Sequence, residues 1–147
     1  MSPVIATVIL VAVAITVAVA VAYWMGGIAG QYTKFEKVEI QSGNCILEPT
    51  GAWTITLKMK NTGTATATLL SAYINDVEVY DYGVNIAAAN GTATNMTTTS
   101  TTIESGALIV VELYIDDTYK SLSSGTTINI KIHSAGGMDY IKLVELV

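Results

Sequence analysis

No charged residue and no histidine occurs in the first 33 positions, and residues 3–22 read PVIATVILVAVAITVAVAVA. At about 1.5 Å of rise per residue, such a run is long enough for an α-helix to cross the roughly 30 Å hydrocarbon core of a bilayer. Eleven Val, Ile or Leu side chains lie between Val4 and Val21, each worth about 1.5–3 kcal/mol when fully buried. The segment requires lipid, or an assembly that replaces lipid.

Its local pattern pulls the other way. Val11-Ala12-Val13-Ala14 and Val17-Ala18-Val19-Ala20 alternate with period two, and β-branched residues favour strands. Twelve Val, Ile and Thr residues disfavour the helix by about 6 kcal/mol in all, at about 0.5 kcal/mol each. A lone strand in hydrocarbon leaves every backbone N–H and C=O unpaired at several kcal/mol per group, so the helix is the expected state. Pro3 suits its first turn. Gly26, Gly27 and Gly30 are expected to loosen or end it, just after Tyr23-Trp24 at the position of an interfacial aromatic belt.

Small residues recur along this helix: Ala14, Ala18, Ala22 and Gly26 at intervals of four, and Ala12, Thr16 and Ala20 on a neighbouring stripe. Such rows let helix backbones approach closely, so these seven residues are the expected helix–helix packing positions. A plain anchor needs only apolar bulk, and Ala is also simply a good helix former. A secretory signal peptide would show a basic leader and an apolar stretch of only about 7–15 residues. Here no basic residue precedes the run.

From about residue 31 the composition changes to Thr, Ser, Gly, Asn and Tyr, and this part carries all the charge, a net −5. Its length fits one globular domain. Strands are expected at 35–40, 44–47 and 53–60, where Trp53, Ile55, Leu57 and Met59 face one way and Thr54, Thr56, Lys58 and Lys60 the other. Asn61-Thr62-Gly63 reads as a turn. Residues 66–74 and 77–80 read as a hairpin turning at Asn75-Asp76, residues that tolerate positive φ. Further strands are expected at 107–115, 126–132 and 139–147. Seven or eight short strands without a second helix predict a two-sheet, immunoglobulin-like antiparallel β-sandwich. The expected fold is therefore α+β, with an apolar helix over 1–30 and a sandwich head over 31–147. Trp53, Leu57, Val111, Leu113, Ile128 and Ile130 are its expected core.

The start MSPVIATVILVAVAITVAVAVAYWMGG resembles the N-terminal helix of archaeal type IV pilins, and WTITLKMKNTGTATATLLSAYINDVEV resembles the strand–turn–strand run of their heads. The resemblance implies a short basic leader removed by a prepilin peptidase, insertion in the cytoplasmic membrane, and then export by pilus assembly machinery. It further implies a helical homopolymer, with helices in the core and heads outward, forming an extracellular adhesion filament. Bacterial type IV pilins carry Glu at the fifth mature position, where this chain has Ile5. Archaellins, the motility relatives, open with a Gly-rich stretch unlike Ser2-Pro3-Val4-Ile5-Ala6-Thr7. Two alternatives remain beside the pilus subunit: a β-sandwich binding module anchored by one helix, and an archaellin.

Little in the chain points to an enzyme, and no cofactor is expected. His133, the single histidine, sits at an expected strand end, and Cys45, the single cysteine, reads as a small buried hydrophobe without a partner for a disulfide or a zinc cluster. Asp116-Asp117 and the trio Asp76, Glu78 and Asp81 carry carboxylates of the kind that bind Ca²⁺, but acidic turns on a solvated surface are the commoner arrangement, so no metal is expected. The chain has no arginine and its head is acidic, which disfavours nucleic acid. Residues 88–102, AANGTATNMTTTSTT, read as an exposed Thr-rich loop with two sequons, Asn90-Gly91-Thr92 and Asn95-Met96-Thr97. N-glycosylation is expected at Asn90 and Asn95, and the hydroxyl density also suits O-glycans.

Overall fold

A computed structural model describes residues 2–97 and 100–147, so Met1, Thr98 and Thr99 lie outside the described residues. The chain divides into two compact units, Met1–Phe35 and Glu36–Val147.

The first unit is one helix, α1, Pro3–Tyr32. Ser2 caps it, its hydroxyl accepting from the Val4 N–H at 3.3 Å, with Pro3 at the first helical position. Thr7 donates its hydroxyl to Val4 O and Thr16 to Ala12 O, each at 2.8 Å. These bonds hide the two polar groups within the apolar run. The glycines do not end the helix. It passes through Gly26, Gly27 and Gly30 to Tyr32, and Thr33 closes it by donating its N–H to Ala29 O at 3.0 Å. Each glycine costs only about 1 kcal/mol relative to Ala, less than the backbone bonds that continuation preserves. The chain breaks from helix only where the first charged residue, Lys34, arrives.

The second unit is a two-sheet sandwich, so the chain is α+β as expected. Its strands are β1 (Val38–Leu47), β2 (Trp53–Asn61), β3 (Ala67–Ile74), β4 (Val77–Glu78), β5 (Asp81–Tyr82), β6 (Thr92–Thr94), β7 (Thr101–Ile103), β8 (Leu108–Ile115), β9 (Thr127–Ser134) and β10 (Asp139–Glu145), with a 3-10 turn at Tyr119–Ser121. One sheet runs β1-β2-β8-β6-β5 and the other β10-β9-β3-β4, with β7 also on β3. The pairings are antiparallel except β5 with β6.

Period-two patterning decides which side chains enter the core. Trp53, Ile55, Leu57 and Met59 of β2 meet Val111, Leu113 and Ile115 of β8, and opposite them lie Ile128, Ile130 and Ile132 of β9 with Leu69 and Ile74 of β3. All six expected core residues are buried there. The hairpin turns at Asn75 and Asp76, with φ of 50° and 64°.

Three expectations need correction. The separate strands at 35–40 and 44–47 are one strand, β1, which begins at Val38 and carries a bulge between Ile40 and Ser42. Gly43 makes the continuation possible, since a Cβ there would lie 3.1 Å from Val144 Cγ2 and 3.2 Å from Leu57 Cδ2. A strand glycine at such close approach leaves no alternating signal. The turn expected from Asn61 starts just after it, since Asn61 is the last residue of β2. It is fully buried, donating Nδ2 to Ala65 O (2.8 Å) and Ile103 O (2.9 Å) and accepting from Gly63 N–H (2.9 Å).

The third correction concerns the expected loop at 88–102, which enters the sandwich. Thr92, Ala93, Thr94 and Met96 are all buried. Threonine's branched carbon fits a pleated sheet, and its hydroxyl is tolerated inside when bonded. Thr92 Oγ1 accepts from the Tyr80 N–H at 3.2 Å, and Thr94 donates to Glu112 O at 2.9 Å.

Candidate assembly helix and sequon segment

In α1 every described residue of both small-residue rows is exposed, and the helix has no buried residue. Val4, Leu10, Val13, Val17 and Val19 are each more than half exposed. Successive positions are about 100° apart around the axis, so this run presents hydrocarbon on every side. Ala14, Ala18, Ala22 and Gly26 follow one shallow line along it, with Ala12, Thr16 and Ala20 beside it. Because α1 continues to Tyr32, Gly26 lies inside the helix, where an added Cβ would meet nothing within 4 Å. A helix apolar all round is stable only when surrounded by lipid or other apolar surface.

The two sequons have different surroundings. Asn90 is exposed with φ of 59°, and its N–H donates to Asp116 Oδ2 at 2.8 Å. Its side-chain amide meets no partner among the described residues. Asn95 is half-buried. Its N–H donates to Glu112 O at 3.2 Å, its Oδ1 accepts from the Glu112 N–H at 2.9 Å, and its Nδ2 donates to Val110 O at 3.2 Å. The hydroxyl of Thr97, which completes that sequon, donates to Ser100 O at 2.7 Å.

A groove of about 630 Å³ lies beside these segments, with Glu48, Trp53, Glu112, Tyr114 and Asp116 among its lining residues. Its three carboxylates are already paired. Glu48 accepts from Thr54 Oγ1 at 3.0 Å, and Glu112 accepts the Tyr114 hydroxyl. Burial, reinforced by Glu112, pushes Tyr114 up to about 12. Asp116 binds the hydroxyl and N–H of Thr118 as well as the Asn90 N–H, and these bonds, the Thr118 hydroxyl first, hold its carboxyl below the usual range. Its work is to tie two loops together.

Two of the other acidic candidates are also engaged. Asp76 pairs with Lys131 at 3.3 Å and Glu78 accepts from the Tyr82 hydroxyl at 3.0 Å. No group of three or more His, Cys, Asp or Glu that could hold a metal occurs among the described residues. His133 Nδ1 lies 2.6 Å from Asp139 Oδ1 across β9 and β10. Cys45 is half-buried and packs against the core, where burial pushes its thiol up. Neither the burial of Asn61 against Ile103 nor the pairing of Asn95 with Val110 and Glu112 has a local signal, since these partners are distant along the chain.

No family model matches the chain, and no curated protein matches it. Among solved structures the likeness is to archaellum proteins. The archaellum periplasmic stator protein FlaG from Sulfolobus acidocaldarius is 18% identical with a TM-score of 0.47, over 75% of this chain and 100% of that one. The FlaF and FlaG stator complex from the same organism matches at 17% identity and a TM-score of 0.46, over 75% of this chain and 90% of that one.

Proposed function

We propose that this chain is the structural subunit of an archaeal type IV adhesion pilus, polymerising through residues 1–30 and presenting residues 31–147 as the head. The observation that carries this reading is α1 itself, a 30-residue helix with no residue buried by its own chain. In lipid the helix waits as a membrane span. In a filament, neighbouring copies replace the lipid, and the rows at Ala12, Thr16 and Ala20 and at Ala14, Ala18, Ala22 and Gly26 supply positions where backbones approach closely. Prepilin peptidase and pilus assembly machinery are the partners this route needs, and the cell exterior is its destination. The tandem sequons suit an exported head.

The rival is a single head held at the membrane by one helix. Negative-stain microscopy of material sheared from cells, with peptide mass spectrometry of the sheared fraction, separates them. Filaments containing this chain are expected. Recovery of the chain only from the membrane fraction contradicts the pilus reading.

A further inference from the structure

We infer that Asn90 is the glycan acceptor of the mature head and that Asn95 is a strand-extending clamp which carries no glycan. The inference rests on the export to a glycosylating compartment proposed above.

β6 stops at Thr94, but its pairing with β8 does not. Asn95 N–H donates to Glu112 O, and its side-chain amide then stands in for the next stretch of backbone, taking Glu112 N–H on Oδ1 and giving Nδ2–H to Val110 O. The Val110 carbonyl and the Glu112 N–H project from the same edge of β8. An amide that engages both uses Oδ1 and the Nδ2 hydrogen on the same side as Oδ1.

That hydrogen is the one a glycan replaces. Transfer forms a bond from Nδ2 to the anomeric carbon of a sugar carried on a polyprenyl phosphate. It breaks the anomeric carbon–oxygen bond to that phosphate and releases one Nδ2 proton with the lipid phosphate. The product is a secondary amide, which sets its two carbon substituents trans, as a peptide bond does. The sugar therefore lies trans to Cβ and beside Oδ1, where Val110 O sits. A glycan on Asn95 and the clamp exclude each other.

Asn90 has no such conflict. It is exposed, its backbone alone is engaged, and its φ of 59° suits a turn from which a side chain can leave the surface. Thr92, which completes the Asn90 sequon, is 2% exposed and bonded to the Tyr80 N–H. Attachment at Asn90 therefore precedes the docking of β6, and a chain that also received a glycan on Asn95 at that stage could not close the clamp, so the folded head is the one with Asn95 bare.

Two measurements test this. Glycopeptide mass spectrometry of the native protein is expected to find a glycan on Asn90 and bare Asn95. In full-length chain made without glycosylation and kept in detergent, Asn95→Asp, which lacks the Nδ2 hydrogens, is expected to lower the melting temperature by about 4 °C or more. Asn90→Gly, which suits the positive φ, is expected to leave it within about 2 °C. A glycan on Asn95, or an unchanged melting temperature for Asn95→Asp, overturns the inference while leaving export and filament formation standing. Bare asparagine at both positions overturns the inference and the glycosylation reading together.

Discussion

The hydroxyl of Tyr140 donates to Glu36 Oε1 at 2.8 Å, fastening β10 to the first residue of the sandwich unit. Gly136 keeps the space open, since a Cβ there would fall 2.6 Å from Glu36 Oε2. The glutamate side chain is flexible enough to move away, at the expense of the Tyr140 bond. Gly136→Ala and Tyr140→Phe should each lower stability by about 1 kcal/mol, the net worth of one such hydrogen bond. Because both remove the same contact, the double variant should lose less than the sum. A denaturant double-mutant cycle reads this, and strict additivity would show that the two residues are not coupled.

Three tyrosines, Tyr82, Tyr114 and Tyr140, are pushed up to about 12, in each case first by burial and then by a bonded glutamate. A phenol whose folded pKa exceeds its unfolded value of about 10 stays protonated in the folded head while the unfolded chain loses its proton. Stability is therefore fully present below pH 10 and declines between about pH 10 and 12. Melting temperatures across that range should fall, and Tyr140→Phe should flatten the decline. A profile as steep without Tyr140 as with it would assign the alkaline loss to other groups.

Asn61 holds the corner between β2 and the approach to β3 by bonding three backbone groups while fully buried. Asn61→Ala takes the side-chain partner from the Ala65 and Ile103 carbonyls, at about 1–3 kcal/mol for each group left buried and unsatisfied, while the Gly63 N–H keeps its bond to Lys37 O at 3.1 Å. A loss of at least about 2 kcal/mol by denaturant unfolding is expected. A change below about 1 kcal/mol would mean that water replaces the side chain.

What was legible in the chain follows from how burial is achieved. In β2, β8 and β9 the core face is Ile, Leu, Val, Met or Trp, and strict alternation exposes it in the sequence. β6 buries Thr92 and Thr94 through hydroxyls bonded to distant backbone, so a polar-looking segment concealed a strand. β1 shows a broken alternation because Gly43 packs by having no side chain. The helix was legible from hydrophobicity alone, but its end was not, since three glycines weaken a helix without stopping it. The sequons were legible as motifs, whereas their unequal surroundings depend on Val110, Glu112 and Tyr80, which no local pattern reveals.

The core is built entirely from residues of the sandwich unit, from Val38 to Leu146, and α1 contributes no buried residue. A chain of residues 31–147 should therefore be soluble, monomeric and cooperatively unfolding, as its size permits. Sedimentation and thermal unfolding check this. Aggregation, or unfolding without a transition, would mean that the helix or a neighbouring head completes the fold.

We propose that α1 joins the subunits by close helix packing, and Ala18→Phe is the sharpest probe of that packing. Ala18 lies in the middle of its small-residue row and is exposed in the single chain, so the larger ring should leave the head intact. In a packed filament core it overpacks each seam, typically by about 1–3 kcal/mol, and every subunit repeats the fault. Electron microscopy of sheared material from cells carrying wild-type or Ala18→Phe chain is the decisive measurement. Filaments are expected from the wild type and none from the variant, whose chain stays in the membrane fraction; normal filaments from Ala18→Phe would overturn assembly by close helix packing.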